Sequence, residues 1–241
     1  MLSRSDGYDL RHAEEYFADF EWADRIWFMA WDVGVWKHDN SPAYEIQILE
    51  SNLQMCRSVF GCLEKAKKPF LFVSSHVSPE TSTLGVSKRV GELYAKLLGG
   101  HVARLWNVYG WEVPGERSHL IPDFVWKGLQ GKIKLMSDGS ETRQFLYVQD
   151  CVEAFFHQFE IGQKYADITS GEWVPVREVA ERIGEKLGAK VALGPEPGKP
   201  SVYSPESPLQ SWRPRFSLDQ GMDEVIKDAR HTWNQNKSQS R

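Results

Sequence analysis

Residues 69–106, PFLFVSSHVSPETSTLGVSKRVGELYAKLLGGHVARLW, decide the fold class of this chain. Two short apolar runs, 69–74 and 101–106, flank a segment with apolar residues at helical spacing, 86–98. Short apolar runs without alternation are typical of strands buried on both faces of a parallel sheet. The glycine pair that follows the helical segment is a common helix stop. The stretch therefore predicts a strand, a helix and a second strand parallel to the first.

The residues upstream continue the same order of elements. Residues 24–30 contain another buried-strand pattern, and residues 42–65 carry apolar side chains at the spacing of a long helix. Successive crossovers of this kind are right-handed, so they cover both faces of a parallel sheet. Shorter elements are predicted downstream, namely helices at 121–130, 150–159, 176–187 and 217–233 and strands at 132–136, 144–148 and 190–193. We expect an α/β fold with a doubly wound parallel sheet.

Composition limits the partners of the chain. The net charge of −4 gives no electrostatic reason to expect nucleic acid or an anionic membrane as a partner. No apolar stretch approaches the roughly 20 residues needed to cross a bilayer, and the N-terminus lacks the apolar core of a signal peptide. We expect a cytoplasmic protein. The three cysteines, Cys56, Cys62 and Cys151, have no metal-ligand spacing, so we expect no metal site, and Cys56 and Cys62 are expected to be packing residues of one helix.

Tryptophan is abundant near the end of the first predicted strand. Trp27, Trp31 and Trp36 lie within ten residues of one another. Aromatic side chains in such a cluster either fill a core or line a cleft. Both interpretations remain open from the sequence.

Six segments, in order and at matching spacing, resemble the signatures of one family. They are 9–11 (DLR), 28–34 (FMAWDVG), Asn52, 87–92 (SKRVGE), 104–110 (RLWNVYG) and 137–150 (SDGSETRQFLYVQD). Together they resemble the extended short-chain dehydrogenase/reductase family, the NAD-dependent sugar-nucleotide epimerases and dehydratases. The resemblance implies a Rossmann-like sheet followed by a smaller α/β region that binds the substrate.

The glycine-rich turn of that family has no counterpart in the chain. The family opens with a strand, a Gly-x-x-Gly-x-x-Gly turn and a helix that holds the pyrophosphate of NAD, and only eight residues precede Asp9. We therefore expect a truncated Rossmann-like region at 1–115, from which the first strand-helix-strand unit is missing. A substrate-binding region at 116–235, interleaved with the sheet, and a disordered tail at 236–241 complete the expected organisation.

The catalytic pair of the family is also changed. The family uses Tyr-x-x-x-Lys, in which the lysine lowers the pKa of the tyrosine for proton transfer. Lys88 is present, but Leu84 stands four residues before it. Without a tyrosine, Lys88 either serves as a cation near the ligand or pairs with Glu92 at helical spacing. His76 stands where the family has a serine or threonine, and its imidazole is a candidate base beside Ser75.

The residues that resemble the sugar-nucleotide side of the family are better kept. Asn107 resembles an asparagine that binds the phosphate or sugar, and Arg143 resembles the arginine that pairs with the diphosphate. Ser74 is the third candidate for substrate binding. Alternative interpretations are that Asn107 is a turn residue and that Arg143 forms a surface salt bridge with Glu141 or Asp138.

These residues support more than one function. The first hypothesis is a protein that binds a nucleotide sugar or related diphosphate and has lost NAD binding and redox chemistry, so no cofactor is expected. The alternative is an active NAD-dependent epimerase or dehydratase with an altered cofactor site, or a partner subunit of a full-length relative. The family resemblance also implies pairing through helices at 42–65 and 86–98, as a homodimer or with that relative.

Overall fold

A computed structural model describes residues 2–3, 6–34, 41–115 and 118–239, of which residues 236–239 are described by their backbone alone. The chain divides into two compact units. The first comprises Met1–Leu105 and Phe155–Ile168, and the second comprises Trp106–Ala154 and Thr169–Arg241. The boundary between the two regions was predicted at residue 115. In the structure the first unit ends at Leu105, and Phe155–Ile168 also belongs to it.

The first unit is built on a four-stranded parallel sheet in the order β1-β2-β3-β8. These strands are Ile26–Phe28, Phe70–Ser75, His101–Leu105 and Tyr165–Ile168. The helices of this unit are α1 (Phe17–Trp22), α2 (Pro42–Ala66) and α3 (Thr83–Leu97), preceded by a 3₁₀ segment at Leu10–Tyr16. The predicted α/β fold with a parallel sheet is confirmed.

Alternation along each strand gives the sheet two apolar faces. On one face Phe28, Phe70 and Phe72 pack against Phe60 of α2, and their ring centroids lie between 5.5 and 6.0 Å from that of Phe60. On the opposite face the rings of Trp27 and His101 pack on the last part of helix α5 (Val148–Glu160), so that both faces of the sheet are covered. Burial on both faces explains why the strands read as continuous apolar runs.

Helix α3 is fixed at its start and along its length by local contacts. Ser82 caps the helix by accepting a hydrogen bond from the backbone N–H of Gly85 at 3.1 Å. A Cβ at Gly85 would lie 2.6 Å from the carbonyl oxygens of Val77 and Glu80, so only glycine permits this turn. At Gly91 the absence of a side chain lets α3 pack directly on a phenylalanine ring of β2.

The second unit contains helices and short strand pairs around its own core. Its elements are β4 (Val108–Tyr109), α4 (Leu120–Leu129), β5 (Lys132–Lys134), β6 (Thr142–Arg143), β7 (Leu146–Tyr147), the first part of α5, β9 (Val174–Pro175), α6 (Val176–Leu187), β10 (Lys190–Ala192) and α7 (Leu218–Gln239). The strands pair as β4 with β7, β5 with β10 and β6 with β9. The core lies between α4, α6 and α7 and includes Ile121, Val125, Ile183, Met222 and Val225.

Helix α7 corrects the prediction for the C-terminus. The sequence predicts a helix that ends at Trp233 and a disordered tail at 236–241, whereas the helix continues to Gln239. Residues 234–239 contain neither glycine nor proline, so nothing in this polar stretch forces the helix to stop. Residues 240 and 241 lie outside the described part of the chain.

The cysteines, the possible metal ligands and the helices of the described residues bear on further predictions. Cys56, Cys62 and Cys151 are buried without disulfides, as packing residues should be. Among the described residues there is no cluster of His, Cys, Asp or Glu suited to a metal ion. Of the helices described, none is both long and apolar enough to span a bilayer. Trp36 lies outside the described residues.

Candidate functional site

Lys88 is buried in the first unit beneath an indole ring. Its side chain is 5% exposed, and Nζ donates a hydrogen bond to the carbonyl oxygen of Val73 at 2.7 Å. The same nitrogen lies 4.3 Å from the ring centroid of Trp31, a distance suited to a cation–π contact. Trp31 is held in turn by a hydrogen bond of 3.2 Å from its Nε1–H to the hydroxyl of Ser87. The amine is therefore satisfied by groups of the protein itself.

Burial changes the protonation of this lysine. Desolvation lowers the pKa of Lys88 to about 7, and the neighbouring Glu92 only partly opposes the shift. The expected pairing of Lys88 with Glu92 is not formed, because the amine points to Val73. Leu84, one helical turn earlier, has no proton to exchange. The proton-relay pair of the family is therefore not reproduced here.

The turn that holds Trp31 is fixed by Asn52 of α2. Its amide nitrogen donates to the carbonyl oxygen of Asp32 at 2.8 Å, and its amide oxygen accepts from the N–H of Asp32 at 2.9 Å. Asn52 is fully buried, so this pair of bonds is shielded from water. The asparagine recognised in the sequence thus fixes the backbone next to the indole.

Ser74 is part of a buried network at the end of β2. Its hydroxyl donates to Glu92 at 2.6 Å, and the guanidinium of Arg104 binds both oxygens of the same carboxylate at 2.8 Å. Ser74 is 2% exposed. Its hydroxyl is therefore engaged within the protein, and its role in substrate binding stays a prediction. The Glu92–Arg104 pair was not singled out from the sequence, although both residues lie in the recognised motifs.

Ser75 and His76 follow at the end of the same strand. His76 Nδ1 lies 3.2 Å from the carbonyl oxygen of Leu105, to which its backbone N–H also donates. Because a carbonyl oxygen only accepts, the ring nitrogen in this contact carries a proton. The hydroxyl of Ser75 accepts a long bond from the N–H of Val77. The roles of His76 and Ser75 in catalysis stay predictions.

In the second unit, Asn107 lies in a left-handed turn just before β4. Its φ of +31° is unusual for a residue other than glycine, and asparagine is among those that tolerate it. Its carbonyl oxygen accepts from the N–H of Leu146 at 3.3 Å, which ties the turn to β7. This backbone geometry fits the alternative interpretation of a turn residue, and the role of Asn107 in substrate binding stays a prediction. Its half-buried side-chain amide makes no hydrogen bond within the described residues.

Arg143 lies on β6, opposite Val174 of β9. The side chain is half-buried, and across the described chain its guanidinium has neither an ion pair nor a hydrogen bond. The alternative salt bridges are not formed, because Glu141 accepts from Ser137 and Asp138 accepts from backbone N–H groups of the loop. A half-buried guanidinium without a protein partner suits an anionic ligand.

Two further residues of the 137–150 motif hold the second unit together. Asp150 is buried and accepts from the backbone N–H groups of Arg215 and Phe216 at 2.9 and 3.1 Å. The ring of Tyr147 packs on that of Phe216 at a centroid distance of 4.8 Å. Both residues are therefore engaged within the second unit.

The parallel sheet and its helices define a class of protein, the Rossmann-like α/β proteins. The chain belongs to the NAD dependent epimerase/dehydratase family, whose model matches residues 8–168. This match covers the first unit and the start of the second, including the segments that carry Lys88, Asn107 and Arg143.

Two curated relatives illustrate the range of activities in the family. A dTDP-4-dehydro-6-deoxy-D-allose reductase of Streptomyces bikiniensis is 32% identical over 167 residues, which cover 61% of this chain and 50% of that protein. GDP-L-fucose synthase 1 of Arabidopsis thaliana is 27% identical over 232 residues, or 78% of this chain and 71% of that protein. The chain spans about half the length of the first relative.

A solved relative has the same fold. The UDP-glucose 4-epimerase of Thermotoga maritima, crystallised with UDP-glucose, superposes with a TM-score of 0.79 at 19% identity. The superposition covers 93% of this chain and 84% of the epimerase. At this level of identity the likeness concerns the fold alone.

The described residues do not fit the redox use of NAD that the family name implies. The side chain of Leu84 is aliphatic. The amine of Lys88 donates a hydrogen bond to the backbone carbonyl of Val73 and is covered by the ring of Trp31. The sequence identified Lys88 as a candidate residue, but it did not predict that the indole of Trp31 covers the amine. The signal available was the bulky Trp31 within the recognised segment 28–34.

Proposed function

We propose that this protein binds a nucleotide sugar, or a related diphosphate, through its second unit and performs no NAD-dependent redox step. The observation that carries the proposal is Arg143, a half-buried guanidinium that no described acidic group neutralises. A planar guanidinium binds phosphate oxygens in a bidentate manner, and burial strengthens that interaction. Asn107 supplies an amide that can both donate and accept.

The first unit supports the second part of the proposal, that the protein performs no NAD-dependent redox step. Proton transfer to a sugar hydroxyl needs an acidic side chain at the position of Leu84, or a lysine whose amine can reach the hydroxyl. The covered amine of Lys88 offers neither. NAD binding is accordingly not part of the proposed function, and a cytoplasmic location stays a prediction.

The alternative is an active epimerase or dehydratase with an altered cofactor site, and one observation favours it. His76 follows directly after β2, where its imidazole contacts the carbonyl oxygen of Leu105, and an imidazole can act as a base near neutral pH. Formation of reduced nicotinamide on incubation with NAD and a nucleotide sugar would support that alternative.

Isothermal titration of the 241-residue chain tests the proposal. The ligands are UDP-, dTDP- and GDP-linked hexoses and, separately, NAD. We expect at least one sugar nucleotide to bind and NAD not to bind. Arg143→Ala should weaken the sugar nucleotide about tenfold to a hundredfold, since a hydrogen bond to a charged group contributes about 1.5–3 kcal/mol.

Arg177→Ala is the matched control, because Arg177 is an exposed arginine of the same unit that lies near Glu181. It should leave the affinity unchanged. Micromolar binding of NAD, or sugar-nucleotide binding that Arg143→Ala does not weaken, would contradict the proposal.

We also propose that α2 and α3 form a pairing surface, either for a second copy or for a longer relative. Exposed apolar side chains on their outer faces support this proposal. They are Ile46 and Leu53 on α2 and Val86, Leu93 and Leu97 on α3. Apolar side chains repeated along exposed helix faces are typical of protein–protein interfaces.

A further inference from the structure

One side of helix α3, the side turned away from α2, borders a groove in the first unit. Tyr94 stacks on Phe60 of α2 with ring centroids 5.0 Å apart, so it marks the side of α3 that meets α2. Successive residues of a helix are rotated by about 100°, which places Lys96 about 200° from Tyr94, on the other side. Arg89 and Glu92 share that side with Lys96 and line the groove.

The groove has the size of a small-molecule site. Its volume is about 880 Å³, within the range of cavities that hold organic ligands. One wall is α3, and the other is formed by the starts of β3 and β8. Val86 and Lys96, which lie toward opposite ends of the groove, are ten residues apart on α3, or about 15 Å along its axis. The space is therefore elongated.

Most of the surface inside the groove is apolar. Val86, Val90 and Leu93 of α3 and Val102 of β3 contribute aliphatic side chains, and Tyr165 of β8 contributes its ring. An apolar lining of this extent stabilises a ligand by removing hydrocarbon from water.

Two lysines lie at one end of the groove. Lys96 belongs to the last turn of α3, and Lys164 precedes β8 on the opposite wall. The ammonium of Lys164 donates to the carbonyl oxygen of Gly99 at 2.7 Å, which holds it near the end of α3. Because an ammonium has three N–H donors, further donors remain for a ligand. Lys96 and Arg89 are exposed, and neither has a hydrogen bond or ion pair with any residue that the structure describes.

The acidic residues of the groove do not neutralise these cations. The two carboxylate oxygens of Glu92 are bound by Arg104, each at 2.8 Å. Glu80 lies just before α3, at the other end of the groove, and accepts from the hydroxyl of Ser82 at 3.2 Å. The groove is therefore positive at one end, acidic at the other and apolar between them.

We propose that this groove is a second binding site, which holds a small amphipathic carboxylate with an elongated apolar chain. The carboxylate lies between Lys96 and Lys164 and accepts from both. The chain runs over Val102 toward Val86. Charge fixes this direction, since a carboxylate at the other end would meet Glu80. The site goes beyond the proposed sugar-nucleotide function, which belongs to the second unit.

Isothermal titration of the full chain with dodecanoate, kept below its micelle concentration, tests this inference. Dodecyltrimethylammonium is the matched probe, because it has the same chain length and the opposite charge. Dodecanoate should bind at least about tenfold more tightly at low salt, and the preference should shrink as salt is added. Hexanoate should bind more weakly than dodecanoate, since it buries a shorter chain.

The double variant K96E/K164E should weaken dodecanoate at least about tenfold, because two attractive charges become repulsive. The variant K132E/K134E is the control, since it makes the same change of charge at exposed positions of β5 in the second unit. It should leave the affinity unchanged.

Lys96→Glu alone separates charge from damage to the fold, because Lys96 has no described polar contact to lose. It should weaken dodecanoate by part of the effect of the double variant. Absence of dodecanoate binding, equal affinity for the two amphiphiles, or binding that neither variant weakens would overturn the inference.

Sedimentation with and without dodecanoate separates the groove from the proposed pairing surface of α2 and α3. The oligomeric state should be the same in both samples. A change of state on adding dodecanoate would place the ligand at the pairing surface and would also overturn the inference. Neither result bears on sugar-nucleotide binding, which Arg143→Ala tests separately.

Discussion

At the scale of single residues, the pair of Trp31 and Lys88 decides the interpretation of the first unit. A lysine under an indole, 2.7 Å from a backbone carbonyl, has its contacts supplied by the protein. The same burial disfavours its charged form. Lys88 is therefore engaged by groups of the protein itself.

The titration of Lys88 predicts a dependence of stability on pH. The pKa of the buried amine is about 7, against 10.5 for the ordinary side chain. Between these values the unfolded state binds a proton that the folded state does not, so the free energy of unfolding rises with pH. The slope is up to about 1.4 kcal/mol per pH unit. Urea denaturation at several pH values, wild type minus Lys88→Met, should show this rise.

Lys96→Met provides the comparison, because it removes an exposed lysine from the same helix. The difference between wild type and this variant should stay flat over the same range. If the wild-type and Lys88→Met curves run parallel between about pH 7 and about pH 9, Lys88 is not buried as described.

At the scale of elements, helix α7 shows how a local signal fixes a boundary. The hydroxyl of Ser217 accepts from the N–H of Gln220 at 3.3 Å, and the side chain of Gln220 accepts from the N–H of Ser217 at 2.9 Å. This is a reciprocal capping box. Because the signal lies within four residues, the start of α7 could be predicted from the sequence.

Ser217→Ala should destabilise the second unit by about 1 kcal/mol, because the first turn of α7 loses an acceptor. Ser217→Asp should retain the stability, since aspartate also caps and lies favourably at the positive end of the helix. Ser217→Gly should lose only a few tenths of a kcal/mol. Urea denaturation ranks the three variants, and an alanine variant as stable as wild type would exclude the cap as a stabilising contact.

The elements that the sequence predicts well are those with a long apolar repeat or a clear cap. The bounds of α6 match the prediction at 176–187, and α2 extends the predicted helix by one residue. β4, β6 and β9 were not predicted as separate strands, because each has two residues and is defined by its partner. A two-residue strand carries no periodicity.

The features of the candidate site also fall into two groups, those that local motifs predict and those that depend on packing. The identity of Lys88, Asn107 and Arg143 follows from local motifs. The engagement of Lys88 depends on Trp31, which lies 57 positions earlier and meets it only after the sheet forms. The bond between Ser74 and Glu92 likewise joins a strand to a helix. Contacts of this kind depend on packing, which spacing alone does not encode.

At the scale of the whole molecule, the two units carry different parts of the family's machinery. The first holds Lys88, covered by Trp31, and the second holds Arg143 and Asn107 with side chains that no described group engages. This division supports the proposal of ligand binding without hydride transfer.

A crystal structure of the chain grown with both NAD and the sugar nucleotide that binds in titration tests the central claim most directly. We predict a diphosphate against Arg143 and Asn107, with Trp31 still stacked over Lys88. A dinucleotide lying over Lys88, with Trp31 displaced and Arg143 unoccupied, would contradict the account.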